Sequence, residues 1–472
     1  MRNISQQLWQ KTDLTNSGGV VLMRSLSSIA LLSILAAACS PISTVSPQAP
    51  ASTAATIAAS PTPSSASSPA IPPKDLIRTE PLSPTPMRIT LADLPQPFAT
   101  DSASKPPNVV GIPANPVLKV PAGFTVNVFA EGLDRPRWLA LTPSGEVLVT
   151  ETRQNQIRLL SDRNRDGVAE VNQPFATAAN GLNIPFGMAF AGNYFFLGNT
   201  DAVLRFPYQS GQQQLSGSGE KIAALPGGGY NQHWTRNVIA APDGKRLYVS
   251  VGSRSNVEAE ELPRASVQVM NLDGSNQQTF AAGLRNPVGL AIQPATGELY
   301  ATVNERDGLG DDLVPDYLTR VQQGGFYGWP YAYLTRDRLD PRQVDNGRSR
   351  NPQLAAQTLT PDVLFQAHSA ALGVQFYEGK TFPERYRHGA FVAFRGSWNR
   401  NQGTGYKIVF VPFGADNRPT GQYEDFVTGF LTEPSVPTTW GRPVGLLALP
   451  DGSLLFTEEA NGRIYRVQYQ GS

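Results

Sequence analysis

Only one of the 472 residues is a cysteine, Cys39, so no disulfide within the chain can hold the fold together. Charge is sparse at 16%, and 39 Lys and Arg offset 38 Asp and Glu to leave a net charge of +1. With no basic patch and no heptad in the sequence, that balance argues against nucleic acid as the main partner. Long helical periodicities are few, and the apolar run from Leu26 to Ala38 is too short to span a bilayer. What is abundant is Gly (43) and Pro (40), the composition of an all-β domain with many turns and room for a substantial core.

The first residues are expected to be a targeting segment. Arg24 precedes the Leu26–Ala38 run, which ends in Leu35-Ala36-Ala37-Ala38-Cys39. This resembles a bacterial lipoprotein signal covering residues 1–39, with Cys39 acylated, although Ala36 stands where the usual pattern prefers Leu. Met23-Arg24 offers an alternative start with a more ordinary positive region. The resemblance implies export, to the periplasm or the outer membrane, with contact to the membrane through the lipid anchor alone; ordinary signal-peptidase cleavage would instead leave a soluble periplasmic protein. Residues 40–107 follow as an expected disordered tether, dominated by Ser, Thr, Ala and Pro as far as about residue 86.

From residue 108 to 470 a strand, a Pro-Asp-Gly-like turn and a second strand recur. Clear copies run from Trp138 to Val149, Val238 to Ser250, Val288 to Val303 and Val444 to Thr457. Weaker copies lie at 186–197 and 373–394. Turn glycines at 145, 192, 244 and 297 stand 47, 52 and 53 residues apart, the spacing of propeller blades. The gap from 297 to 452 has room for one more blade and a long insertion. The predicted fold is a six-bladed β-propeller of four-stranded antiparallel blades.

In a propeller the residues just before each innermost strand face the mouth of the central channel. Counted back from the turn glycines, His233, Arg285, Arg442 and Arg135 all fall there. Three guanidiniums around one histidine would make a positive cup for a small anion with several carboxylates, and would keep His233 neutral and able to accept a proton.

At these positions the chain resembles the quinoprotein glucose and sorbosone dehydrogenases, six-bladed propellers that use pyrroloquinoline quinone with calcium. The resemblance rests on His233 before Val238-Ile239-Ala240-Ala241-Pro242-Asp243-Gly244, on Gly283-Leu284-Arg285-Asn286-Pro287-Val288-Gly289-Leu290, and on Gly324-Gly325-Phe326-Tyr327-Gly328-Trp329-Pro330. It implies oxidation of a small sugar, an aldose or a sorbosone-type substrate, with an electron acceptor that the sequence does not identify. By the same resemblance, His233 is the general base, Arg285 polarises the quinone oxygen, and Asn286 hydrogen-bonds the cofactor. Arg395 falls where the family places a lysine, Arg442 matches one of two cofactor-binding arginines, and Trp398 supplies an aromatic face. Calcium would be held by backbone carbonyls of Asn304, Glu305 and Arg306, with Asp307 as a further carboxylate; the family's Gln-Gly-Pro is replaced at this point, and Arg306 would repel a divalent ion.

Other residues carry open readings. Asp162-Arg163-Asn164-Arg165-Asp166-Gly167 is either a calcium clip or an Asx-rich turn, with Gln173 where an EF-hand has Glu. His388 reads as surface, and His368 lies near the channel mouth without an assigned role. The segment from Asp307 to Ala370 is the expected cover of the site, with Trp329, Tyr331 and Tyr333 able to stack on a sugar. Two rival functions remain: a calcium-dependent lactonase, which would want an axial Glu, Asn and Asp set, and a non-catalytic propeller binding peptide or glycan at a surface.

Overall fold

The structure, a computed structural model, describes residues 75–227 and 233–471. The signal segment, Cys39 and most of the expected tether lie outside these residues. Among the described residues the predicted hairpins form, five of the six closed by a turn glycine with positive φ, such as 99° at Gly145 and 84° at Gly452. They assemble into six sheets built on four antiparallel strands, together with smaller two- and three-stranded pairings.

The first strands of the six sheets are Pro136–Leu141, Met188–Ala191, Val238–Ala240, Pro287–Ile292, Ala371–Phe376 and Pro443–Ala448. Each packs against the first strand of the next sheet in chain order, and Pro443–Ala448 packs against Pro136–Leu141. The second strands are buried along nearly their whole length, as Val147–Glu151 and Leu454–Glu458 show, because sheets cover both of their faces. The sheet that begins at Pro443–Ala448 takes its fourth strand, Phe124–Ala130, from the other end of the chain. The expected long insertion lies between the third and fourth strands of one sheet, Tyr317–Arg320 and Val363–Leu364.

The recurring Pro-Val-Gly-Leu signature has a packing cause. In four of the six first strands the register shifts near the start, between Pro136 and Leu139, Pro287 and Leu290, Ala371 and Val374, and Pro443 and Leu446. At three of these bulges a buried threonine of the second strand fills the gap. Thr150, Thr302 and Thr457 accept the N–H of Trp138, Gly289 and Gly445 at 2.9, 2.9 and 2.7 Å. Thr302 and Thr457 then donate to Leu372 O and Arg137 O in the neighbouring sheet, at 2.6 and 2.7 Å. The backbones approach so closely that a Cβ on Gly289 would lie 2.2 Å from Leu372 O. We expect Gly289→Ala to destabilise the domain by about 1–3 kcal/mol through overpacking; an unchanged midpoint of urea unfolding would contradict this packing.

The tether prediction needs correction at its C-terminal end. Leu76–Leu82 is a strand that pairs in parallel with Val117–Pro121 and touches Phe124–Ala130 at Leu76 and Ile77. The sheet edge formed by Phe124–Ala130 would otherwise expose unpaired backbone, and this segment covers it. Residues 87–110 continue along the domain, with Met87 bridging Tyr423 and Asn108–Val109 pairing in parallel with Thr438–Thr439.

Candidate active site

A cavity of about 480 Å³ opens where the first strands begin. One device recurs in its wall: a polar side chain at or just past the end of a second strand holds the loop just before a first strand. Glu151 accepts the N–H of Asp134 at 2.7 Å, Glu458 that of Arg442 at 2.9 Å, and Ser253 binds His233. Burial is the main reason that the Glu458 carboxyl is pushed up to about 7, and three backbone N–H donors pull it the other way.

His233 stands in this wall with a left-handed backbone, φ 52°, a conformation costing about 1–3 kcal/mol that its surroundings must impose. Its Nδ1 lies 2.9 Å from both Ser253 O and Ser253 Oγ, and that hydroxyl donates its own proton to Ser255 O at 2.7 Å. Both neighbours can therefore accept, so Nδ1 carries the ring proton and Nε2 is the basic nitrogen. Burial first, and the Arg285 guanidinium second, hold the imidazole well below its ordinary range. This leaves His233 neutral at pH 7, with burial as the main cause and Arg285 alone contributing among the three arginines that the sequence placed around it.

Arg285 is 2% exposed and lines the same cavity. Its Nε donates to Asn256 O at 3.1 Å, Nη1 to Glu305 O at 2.6 Å and Asn304 O at 3.4 Å, and Nη2 to Asn256 Oδ1 and Asp307 Oδ2, both at 2.9 Å. All five N–H bonds have protein acceptors, so Arg285 presents a fixed positive charge and no spare donor. Asp307 is anchored further by Asn399 Nδ2 at 2.7 Å, which also donates to His368 Nδ1 at 3.0 Å. His368, whose role the sequence left open, is thus a buried prop for the Asp307–Arg285 pair.

This arrangement alters the metal expectation. The carbonyls of Asn304 and Glu305 and the carboxylate of Asp307 already face the Arg285 guanidinium, so a calcium ion on those oxygens would have to share them with a cation. Arg306 points away from the cavity to Asp340 at 3.3 Å, so its side chain is not the obstacle. The 304–307 segment, as folded, does not fit a calcium site on backbone carbonyls. Glu305 and Asp316 line the cavity floor, and burial pushes both up to about 7.

Arg395 and Arg442 lie together in the cavity lining, around a residue that the sequence reading missed. Glu459 binds Arg395 and Arg137 directly, and Arg442 Nη1 lies 3.9 Å away. Burial opposes its charge, but three guanidiniums hold the Glu459 carboxyl far below the usual carboxylate range, and the cluster keeps a surplus of positive charge. Arg442 is itself pushed down to about 10, by burial and then by Arg395. Arg135, the expected third arginine, is exposed at the rim; its φ of 50° lies in the left-handed region, and Arg137, two residues on, is buried. Asn286 is buried in the wall with Nδ2 3.5 Å from Asn304 Oδ1 and with no partner for its Oδ1. Trp398 lies at the mouth, 45% exposed.

Trp329 and Tyr333 do not reach the cavity. Both are buried, and Trp329 Nε1 donates to Asn256 O at 2.8 Å, so they support the fold of the insertion. The Asp162–Gly167 loop closes as a turn: Asp162 accepts the N–H groups of Asp166 and Gly167 and pairs with Arg466 at 3.2 Å. Glu170 converges with Asp162 and Asp166 in the only carboxylate trio close enough to suit a metal among the described residues. That trio is not part of the cavity lining.

A family model described as TrAA12-like matches residues 118–470. An uncharacterised protein of Borreliella burgdorferi is 27% identical over 365 residues, 75% of this chain and 91% of the relative. The pyrroloquinoline quinone-dependent pyranose dehydrogenase of Coprinopsis cinerea is 23% identical over 414 residues, 74% of this chain and 54% of the relative, so the match spans about half of that enzyme. Among solved structures, the Trichoderma reesei enzyme of carbohydrate-active family AA12 superposes with a TM-score of 0.65 at 20% identity, covering 77% of this chain and all of that one. This last likeness bears on the fold.

Proposed function

The chain belongs to the TrAA12-like family, and on that premise we propose that it oxidises a sugar, with pyrroloquinoline quinone in the cavity and His233 as the base. The observation that carries the reading is the buried, neutral His233 with a basic Nε2 in a cavity that also holds surplus guanidinium charge. When bound, the quinone supplies the two-electron acceptor for hydride from the sugar carbon. Everything else falls to the chain. His233 Nε2 takes the proton of the sugar hydroxyl, and Nδ1, fixed by Ser253, keeps the ring in the tautomer that can do so. Arg395 and Arg442, with Arg137 behind them, offer planar forks to carboxylates. The unpartnered Asn286 Oδ1 offers an acceptor to a polar ring atom. Arg285 lowers the energy of negative charge developing nearby through its field.

No step in this reading passes through calcium. The six sheets serve as blades of a closed propeller, and the Leu35-to-Cys39 stretch supports an exported, lipid-anchored protein.

The test is a titration of purified protein with pyrroloquinoline quinone, followed by aldoses and a dye acceptor; no bound quinone and no dye reduction would sink the reading. Within that assay, Arg395→Gln should weaken quinone binding roughly 10- to 100-fold, the loss of one charge-assisted fork. Its side chain is partly exposed, so the fold should survive. Unchanged quinone affinity would remove Arg395 from the cofactor site.

A further inference from the structure

Residues 98–110 lie before the segment that matches the family, yet Val109 among them lines the cavity. Phe98 N–H donates to Leu309 O at 2.8 Å, and Thr100 Oγ1 accepts the N–H of Asp311 at 2.8 Å. Farther on, Lys105 N–H binds Trp398 O at 2.7 Å, while its ammonium reaches Asn401 O at 3.0 Å and Ser435 O at 3.3 Å. Asn108 N–H then binds Pro437 O, Val110 N–H binds Thr439 O, and Asn461 Nδ2 holds Val110 O at 3.0 Å. The segment is therefore a strap, pinned at both ends and in its middle to loops of three different sheets.

What the strap presents to the cavity is the apolar Val109. Val109 lines the cavity and is 44% exposed; Trp398, also in the lining, is 45% exposed. Exposed large apolar side chains are few among the described residues, and here two flank the opening of a polar, arginine-rich cavity. The charged floor suits an anionic cofactor. The apolar rim suits the C–H face of a sugar ring, which stacks on an indole while its hydroxyls turn to water or to the base.

We propose that the strap is a substrate-specificity element, and that Val109 and Trp398 form the slot which holds a pyranose ring over the cavity. This rests on the sugar-oxidation reading for the ring's orientation, but not for its binding. It assigns Trp398 to the substrate rather than to the cofactor, and it gives the 98–110 segment a function that the matched part of the chain cannot supply.

The experiment compares wild type with Val109→Asn, Trp398→Ala and Lys105→Met, the last chosen to unpin the strap. Three quantities are read: quinone affinity by titration, KM and kcat for glucose, galactose and cellobiose by dye reduction, and binding of 1-deoxyglucose to cofactor-free protein by calorimetry. Thermal melts confirm folding, which the exposed position of both slot residues should preserve. Val109→Asn and Trp398→Ala should each raise KM about tenfold and weaken 1-deoxyglucose binding similarly. Quinone affinity and kcat should stay within about twofold, and Lys105→Met should raise KM less than either. Unchanged KM and sugar binding in both slot variants would overturn the proposal, as would weakened quinone binding with unchanged KM. A wild type that binds none of these sugars would overturn it too. If wild type reduces no dye but binds 1-deoxyglucose, and the slot variants bind it less, the oxidation reading fails and the strap proposal stands.

Discussion

Replacing His233 by alanine is expected to lower turnover about a thousandfold, within the range for loss of a general base, while leaving quinone affinity within a few-fold. The asymmetry follows from position. His233 makes its own hydrogen bonds to Ser253, and the salt bridges of the Glu459 cluster do not include it, so its loss removes a proton acceptor and leaves the arginine forks in place. Dye reduction at saturating quinone reads the first quantity, and titration reads the second. Equal losses in both would contradict the base assignment.

The same residue sets two pH dependences. As the proposed base, His233 must be neutral, and burial with the neighbouring Arg285 charge holds its pKa well below 6.5. The acid limb of kcat/KM should therefore fall well below pH 6.5, and a limb at or above 6.5 would mean that another group is titrating. Stability behaves in the corresponding direction. Below pH 6.5 an unfolded chain protonates this histidine while the native chain does not, so stability present above that pH declines as the pH falls through it. His233→Ala should lessen that decline.

Much of this site was legible because β-hairpins are local. A turn glycine fixes where its two strands begin, and counting back from it placed His233, Arg285 and Arg442 at one end of the sheets. Arg135 lines the cavity too, from its rim, and what the count did not single out is Arg137, two residues on, which is buried and lines the same cavity. Glu459 was missed for a different reason. Its partner Arg137 is 322 residues away in sequence, and nothing local marks a carboxylate destined for three guanidiniums. The signal available was positional: Glu459 follows directly on Glu458, at the place where Glu151 and Ser253 hold the loops of other sheets. The strap was invisible because it has no periodicity of its own. Its order comes from backbone partners roughly 300 residues downstream, as between Asn108 and Thr438, and a polar, Pro-rich stretch without them reads as a tether.

Glu459 carries the second large effect. Glu459→Ala leaves Arg137 and Arg442, both buried, and the half-buried Arg395 without a counter-charge, which is expected to cost about 3–5 kcal/mol and to lower the melting temperature by about 5 °C. Because the native carboxyl is held far below its usual range, its contribution to stability is present above the pH at which an unfolded glutamate titrates and is lost as the pH falls below it. The variant should therefore be closer in stability to wild type at acid pH than at pH 7. The three arginines would also be freed for an external anion. Citrate, compared with chloride at matched ionic strength, should raise the melting temperature of Glu459→Ala more than that of wild type, since in the variant no internal carboxylate competes for the three guanidiniums. A variant as stable as wild type at pH 7 would show that the guanidiniums need no internal anion. No stabilisation of either protein by citrate beyond that by chloride would show that the forks do not act as an anion site, and the carboxylates of the cofactor would then need another anchor.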